Sequence, residues 1–328
     1  MTIYSIQYLR GIAALMVVLH HTVHKGSQYG NSTLSWFNIG SAGVDLFFII
    51  SGFIMCYTTH NKKISPYIFL KHRIKRIIPL YWFFTTVALI IFLIIPQYVN
   101  SSGGNTGILA SFLLIPTGEK FLVNNGWTLS YEFYFYFIFS LFIFLNNNKT
   151  LRYINISLFI LLLYITGLIL KPDNSYLKFI FSSLLMEFAL GIFSYFIYKR
   201  VKIPKIISII FIFSSIFWFT HIIKSGNIFN NFLNHAIPMF LLFNGFLHLE
   251  SYFREQKTLI NKFFEKLGES SYSLYLVHPF ILSIITMIFE YFDLINSNFF
   301  IILLVIISII SGWITYNRIE KKIASLLK

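Results

Sequence analysis

The chain has 328 residues, of which 56% are hydrophobic, 20% aromatic and only 12% charged. A soluble globular chain carries roughly 25% charged residues, so this one lacks the polar surface to face water on all sides, and the bilayer must act as solvent for most of it. The formal charge of +14 does not indicate a nucleic-acid partner, because the cations are spread along the chain in the pattern of a membrane protein.

Apolar runs recur from end to end, among them Leu80 to Ile95, Tyr153 to Leu170, Ile206 to Ile223 and Phe299 to Ile314. Each approaches the roughly 20 residues that a helix needs to cross a hydrocarbon core. The polar/apolar alternation of a membrane barrel is absent. The predicted fold is all-α: a polytopic membrane protein of about ten transmembrane helices. The predicted spans are 5–24, 41–59, 77–95, 127–145, 153–170, 177–198, 206–223, 232–249, 272–292 and 299–317.

The first apolar stretch, Ile12 to Leu19, has no small-x-small cleavage site and is followed by His and Lys, so it reads as a permanent span and not a leader. The single cysteine, Cys56, sits in an apolar run and reads as a small buried residue, with no disulfide possible inside the chain. With the N-terminus inside, 20 of the 26 Lys and Arg residues fall on the cytoplasmic side, Lys257 and Lys328 among them, and 5 fall outside. That bias predicts both termini in the cytoplasm and a multi-pass protein of the cytoplasmic, or inner, membrane. The basic residues then anchor to anionic lipid. Residues 1–328 read as one membrane domain. Outside, Ile108 to Ile115 forms a short apolar stretch suited to dipping back toward the bilayer. Inside, Glu250 to Glu269 has the pattern of an amphipathic helix.

Ionisable residues within spans are costly and usually functional. Here they are Arg10, His20, His21, Asp45, Glu132, Glu187, His235 and His278. Arg10 and His21 stand eleven residues apart. At 100° per residue this is about 20° past three full turns, so they share a helix face at an axial separation of roughly 16 Å. An extended pantetheine arm covers such a distance, with an arginine on phosphate at one end and an imidazole at the thioester. A snorkelling arginine and an interfacial histidine fit the same spacing. Asp45 and Glu132 lie at similar predicted depth, and either could hold a histidine base in one tautomer and balance its charge. Either could equally bridge helices as a hydrogen-bonded carboxylate. His20 and His24 have metal-pair spacing, but no third ligand follows and no metal is expected. In Lys71-His72-Arg73-Ile74-Lys75-Arg76, the i,i+3 arginines share a face if helical and suit phosphate oxygens.

Five blocks, in order along the chain, resemble the acyltransferase-3 family of membrane proteins. They are Tyr8 to Leu15 through His21, Gly43 to Phe53, Arg73 to Trp82, Trp127 to Glu132 with Phe135 and Tyr136, and Leu267 to His278. The first two look nearest the bacterial exopolysaccharide and surface-glycan O-acetyltransferases. The resemblance implies a ten-helix enzyme with acetyl-CoA as donor and a surface polysaccharide or lipid-linked glycan as acceptor. It maps His21 to the catalytic histidine, Arg10 to its partner, and Arg73 and Arg76 to the basic motif; on the residues themselves, Asp45 and Glu132 are the candidate carboxylates for His21, and Arg73 and Arg76, with Arg10, the candidate ligands of the donor phosphates. His278, placed near the cytoplasmic mouth, is expected either to assist with the donor or to be structural, and Trp127 either to stack on sugar or to sit in the interfacial aromatic belt. Two departures stand out: Phe133 replaces a second glutamate after Glu132, and no proline follows Glu320-Lys321. No hydrolase-like domain follows the last span, so the membrane part is expected to handle the acceptor alone. The rival readings are a transporter or flippase for a lipid-linked glycan and a non-catalytic export partner.

Overall fold

The computed structural model describes residues 3–327 except 32–33, 35–36, 100–103, 226–231, 256–257, 293 and 296–297. Lys257 and Lys328, counted above among the cytoplasmic cations, lie outside the described residues. Among the described residues every regular element is a helix, and the only pairing of extended backbone is one isolated bridge, Thr106 with Lys120. Among the described residues, nine helices are long and apolar enough to cross a membrane: Tyr4–Gln28, Ile39–His60, Pro66–Ile94, Gly126–Leu145, Lys149–Leu170, Ser175–Arg200, Lys205–Lys224, Ser271–Tyr291 and Phe299–Leu326. The tenth expected span, 232–249, is a five-residue π turn, Phe232–Ala236, running into the 12-residue helix Ile237–His248.

Local chemistry explains where several helices depart from the predicted bounds. The third begins at Pro66, well before residue 77: Ser65 accepts the Ile68 N–H at 3.3 Å and Pro66 pre-sets the first turn. The basic cluster is therefore the opening of a 29-residue helix, which confirms that Arg73 and Arg76 share a face. The segment 250–269 is two helices, not one: Glu250–Glu255, then Leu259–Glu269, whose start is set by the Thr258 side chain capping the Asn261 N–H at 3.2 Å. The Ile108–Ile115 stretch forms only the short helix Ile108–Leu113, closed by Leu114 in the left-handed region at φ 56°.

The chain divides into two compact units, 1–50 with 196–322 and 51–195 with 323–328. In the first, helix Tyr4–Gln28 packs against Leu259–Glu269 and Ser271–Tyr291. Small residues let the backbones approach: a Cβ on Gly268 would lie 1.9 Å from the Gln7 carbonyl oxygen, and one on Gly11 would lie 3.1 Å from Gly268 N. Glu250 closes the same corner, accepting the N–H groups of Tyr4 and Ser5 at 3.1 and 2.8 Å, as a carboxylate should at a helix N-terminus. Gly268→Ala is expected to destabilise the protein by about 1–3 kcal/mol, the cost of overpacking against backbone that cannot rotate away. A thermal melt of the purified variant checks this; an unchanged midpoint would show that the two helices have room.

In the second unit, helix Pro66–Ile94 packs on Gly126–Leu145, which in turn packs on Lys149–Leu170. Tyr81 donates to the Ser111 carbonyl at 2.7 Å and Trp82 to the Phe112 carbonyl at 2.9 Å, tying the short helix to the long one. Buried aromatic pairs hold the interior, with Phe135 and Phe188 stacked at 4.3 Å and the hydroxyls of Thr59 and Tyr153 at 3.2 Å.

Candidate functional site

The first unit gathers most of the intramembrane ionisable residues. His21 projects from helix Tyr4–Gln28 and is half-buried, while His278 projects from Ser271–Tyr291 and is fully buried. Their rings meet, with His21 Nδ1 2.8 Å from His278 Nε2. The ring planes are 19° apart and the centroids 5.1 Å apart. That separation is the hydrogen-bond length plus two ring radii, so the imidazoles join end to end in nearly one plane and do not lie face to face.

The two helices that carry them, Tyr4–Gln28 and Ser271–Tyr291, pack against each other. His278 was expected at the donor mouth. Here both of its nitrogens are engaged within the bundle, Nε2 with His21 and Nδ1 with the Leu274 carbonyl at 2.9 Å. Pro279, which follows it inside the helix, has no N–H and loosens this turn.

A second histidine pair adjoins the first. His20 and His21 have ring centroids 5.6 Å apart. His235 Nδ1 lies 3.8 Å from Asp45 Oδ2. Asp45 occupies the first turn of helix Ala42–His60, where the helix dipole favours an anion. Of the two carboxylates considered for His21, Asp45 has a histidine, His235, at ion-pair distance. His235 was visible in sequence as an ionisable residue in a span, but its pairing with Asp45 was not. Arg10 lies on the same helix as His21, three turns away and half-buried. No group of three His, Cys, Asp or Glu placed to hold a metal occurs among the described residues.

In the second unit, Glu132 on helix Gly126–Leu145 accepts hydrogen bonds from Ser51 Oγ, at 3.2 Å, and from the Tyr136 hydroxyl. The Ser51 and Tyr136 oxygens are themselves 3.3 Å apart. Tyr136 also faces Arg73, whose guanidinium lies 6.0 Å from the Tyr136 ring and 6.0 Å from that of Phe69. Arg73 is half-buried, and its Nε makes no hydrogen bond among the described residues; Arg76 is exposed. The basic motif and Glu132, read separately in sequence, are thus linked through Tyr136. Phe133, where a second carboxylate was anticipated, instead packs its ring on Tyr136 at 5.9 Å. Trp127 is exposed at the start of its helix, edge-on to Tyr131 at 6.0 Å.

Apolar spans with ionisable groups held between them define a multi-pass membrane protein. The family model described as an acyltransferase domain matches residues 3–317, and the chain belongs to this acyltransferase-3 family: it is a membrane acyltransferase. It is 29% identical over 258 residues to the exopolysaccharide production protein ExoZ of Rhizobium meliloti (strain 1021), covering 76% of this chain and 78% of that protein. No solved structure gives a significant match.

Proposed function

We propose that the protein is an O-acyltransferase of the cytoplasmic membrane, moving an acetyl group from cytoplasmic acetyl-CoA to a hydroxyl of a surface polysaccharide or lipid-linked glycan. The observation that carries this is the in-plane hydrogen bond between His21 and His278, which orients an imidazole inside a bundle of membrane helices. The exopolysaccharide role in the relative's name supports a glycan acceptor. The match over 3–317 supports reading the chain as one acyltransferase domain, and the bias of Lys and Arg supports both termini in the cytoplasm.

In this mechanism His21 takes the proton of the acceptor hydroxyl as its oxygen bonds to the thioester carbonyl carbon. Collapse of the tetrahedral adduct breaks the C–S bond. His21 returns the proton to sulfur, leaving an ester on the glycan and CoA as free thiol. Asp45, with His235 beside it, is one candidate carboxylate to balance the imidazolium; Glu132, braced by Ser51 and Tyr136, is the other. Arg73 and Arg76, with Arg10, bind the donor phosphates. The Arg73 Nε without a hydrogen bond fits an anion. Trp127 offers an exposed ring face to a sugar.

The test is reconstitution in vesicles with acetyl-CoA labelled in the acetyl group and lipid-linked glycan. Label is expected in the glycan as an alkali-labile ester. Folded protein that moves the glycan across the bilayer and forms no ester would establish the transporter reading instead.

A further inference from the structure

His278 does more than fill space beside His21. Its Nδ1 faces the Leu274 carbonyl oxygen at 2.9 Å. That oxygen can only accept, so Nδ1 carries the proton. A neutral imidazole has one N–H, which leaves His278 Nε2 as a bare acceptor. Neutrality follows from place: the residue is fully buried, its ring neighbours include the aromatic Tyr275 and the imidazole of His21, it makes no ion pair among the described residues, and a buried cation without a counter-ion is costly. At 2.8 Å from that acceptor, His21 Nδ1 must be the donor. The remaining nitrogen of His21, Nε2, then has its lone pair free.

We infer that His278 is a positioning residue that sets the tautomer of His21: the Leu274 carbonyl fixes His278, and His278 holds the His21 proton on Nδ1, so that Nε2 is the atom that accepts the substrate proton. A free neutral imidazole favours the opposite tautomer, with Nε2 protonated and unable to act as base. The relay does for His21 what a buried carboxylate or carbonyl does for other histidine bases and ligands, using a second neutral imidazole. This builds on the reading of His21 as the base.

The experiment has two readouts. In protein labelled with ¹⁵N-histidine, the His21 signals, assigned by their loss in His21→Ala, should show a protonated Nδ1 and a bare Nε2. In His278→Leu the proton should move to Nε2. Wild-type His21 protonated at Nε2, or a tautomer unchanged in His278→Leu, overturns the inference whether or not the protein transfers acyl groups. In the transfer assay, His278→Leu should lower kcat by roughly 10²-fold with KM for acetyl-CoA within about threefold. His278→Gln, whose amide oxygen can still accept from Nδ1, should recover to within about tenfold of wild type. Equal activities in the wild type and both variants, or equal losses in both variants, overturn it. A folded wild type with the expected tautomer and no transfer would sink the enzymatic role and leave the relay standing.

Discussion

Replacing His21 with alanine is expected to lower acyl transfer by about 10²–10⁴-fold, the usual contribution of a positioned general base, or roughly 3–5 kcal/mol of transition-state stabilisation. The loss should fall on kcat. The donor phosphates are assigned to arginines, so KM for acetyl-CoA should change little. The protein should still fold. His21 is half-buried, and its neighbour His278 keeps its bond to the Leu274 carbonyl. The measurement is labelled ester formed per mole of folded protein, with a thermal melt alongside. Full transfer at normal protein level would remove His21 from the chemistry.

The second large effect concerns the donor. Arg73→Ala/Arg76→Ala should abolish measurable acetyl-CoA binding. Charge-assisted hydrogen bonds contribute about 1.5–3 kcal/mol each, so two together amount to roughly 10²–10⁴-fold in Kd. The single variants should differ. Arg73 is half-buried against Phe69 and Tyr136, and its loss also removes packing. Arg76 is exposed, and its contribution is screened by salt. Arg→Lys should restore only part of the affinity, because an ammonium cannot grip phosphate with two parallel donors. Titration of detergent-purified protein reads both quantities. Wild-type-like binding by the double variant would move the phosphate site elsewhere, and absent binding by folded wild type would point to another donor.

The spans were legible because hydrophobic length is a local property: a run such as Tyr153 to Leu170 has one stable solution in lipid, with its backbone bonds satisfied internally. The start of helix Pro66–Ile94 could have been read from Ser65-Pro66, a cap followed by a residue suited to the first turn. The break before Leu259 was harder to see, since the amphipathic pattern continues across Thr258 while only its side-chain bond shows a new helix beginning.

Among the candidate site residues, what could be read was what depends on one helix. The phase of Arg10 and His21, and the shared face of Arg73 and Arg76, follow from 100° per residue. Which residues meet across helices does not. His278 is 257 positions from His21, and only the packing of helix Ser271–Tyr291 on Tyr4–Gln28 brings the imidazoles together. Asp45 with His235, and Glu132 with Ser51 and Tyr136, are likewise products of helix packing. The sequence by itself therefore determined the membrane class, the helices and the types of chemistry they carry, since these rest on hydropathy and local periodicity. The tertiary structure alone decided which ionisable group faces which, because that depends on distances between backbones remote along the chain.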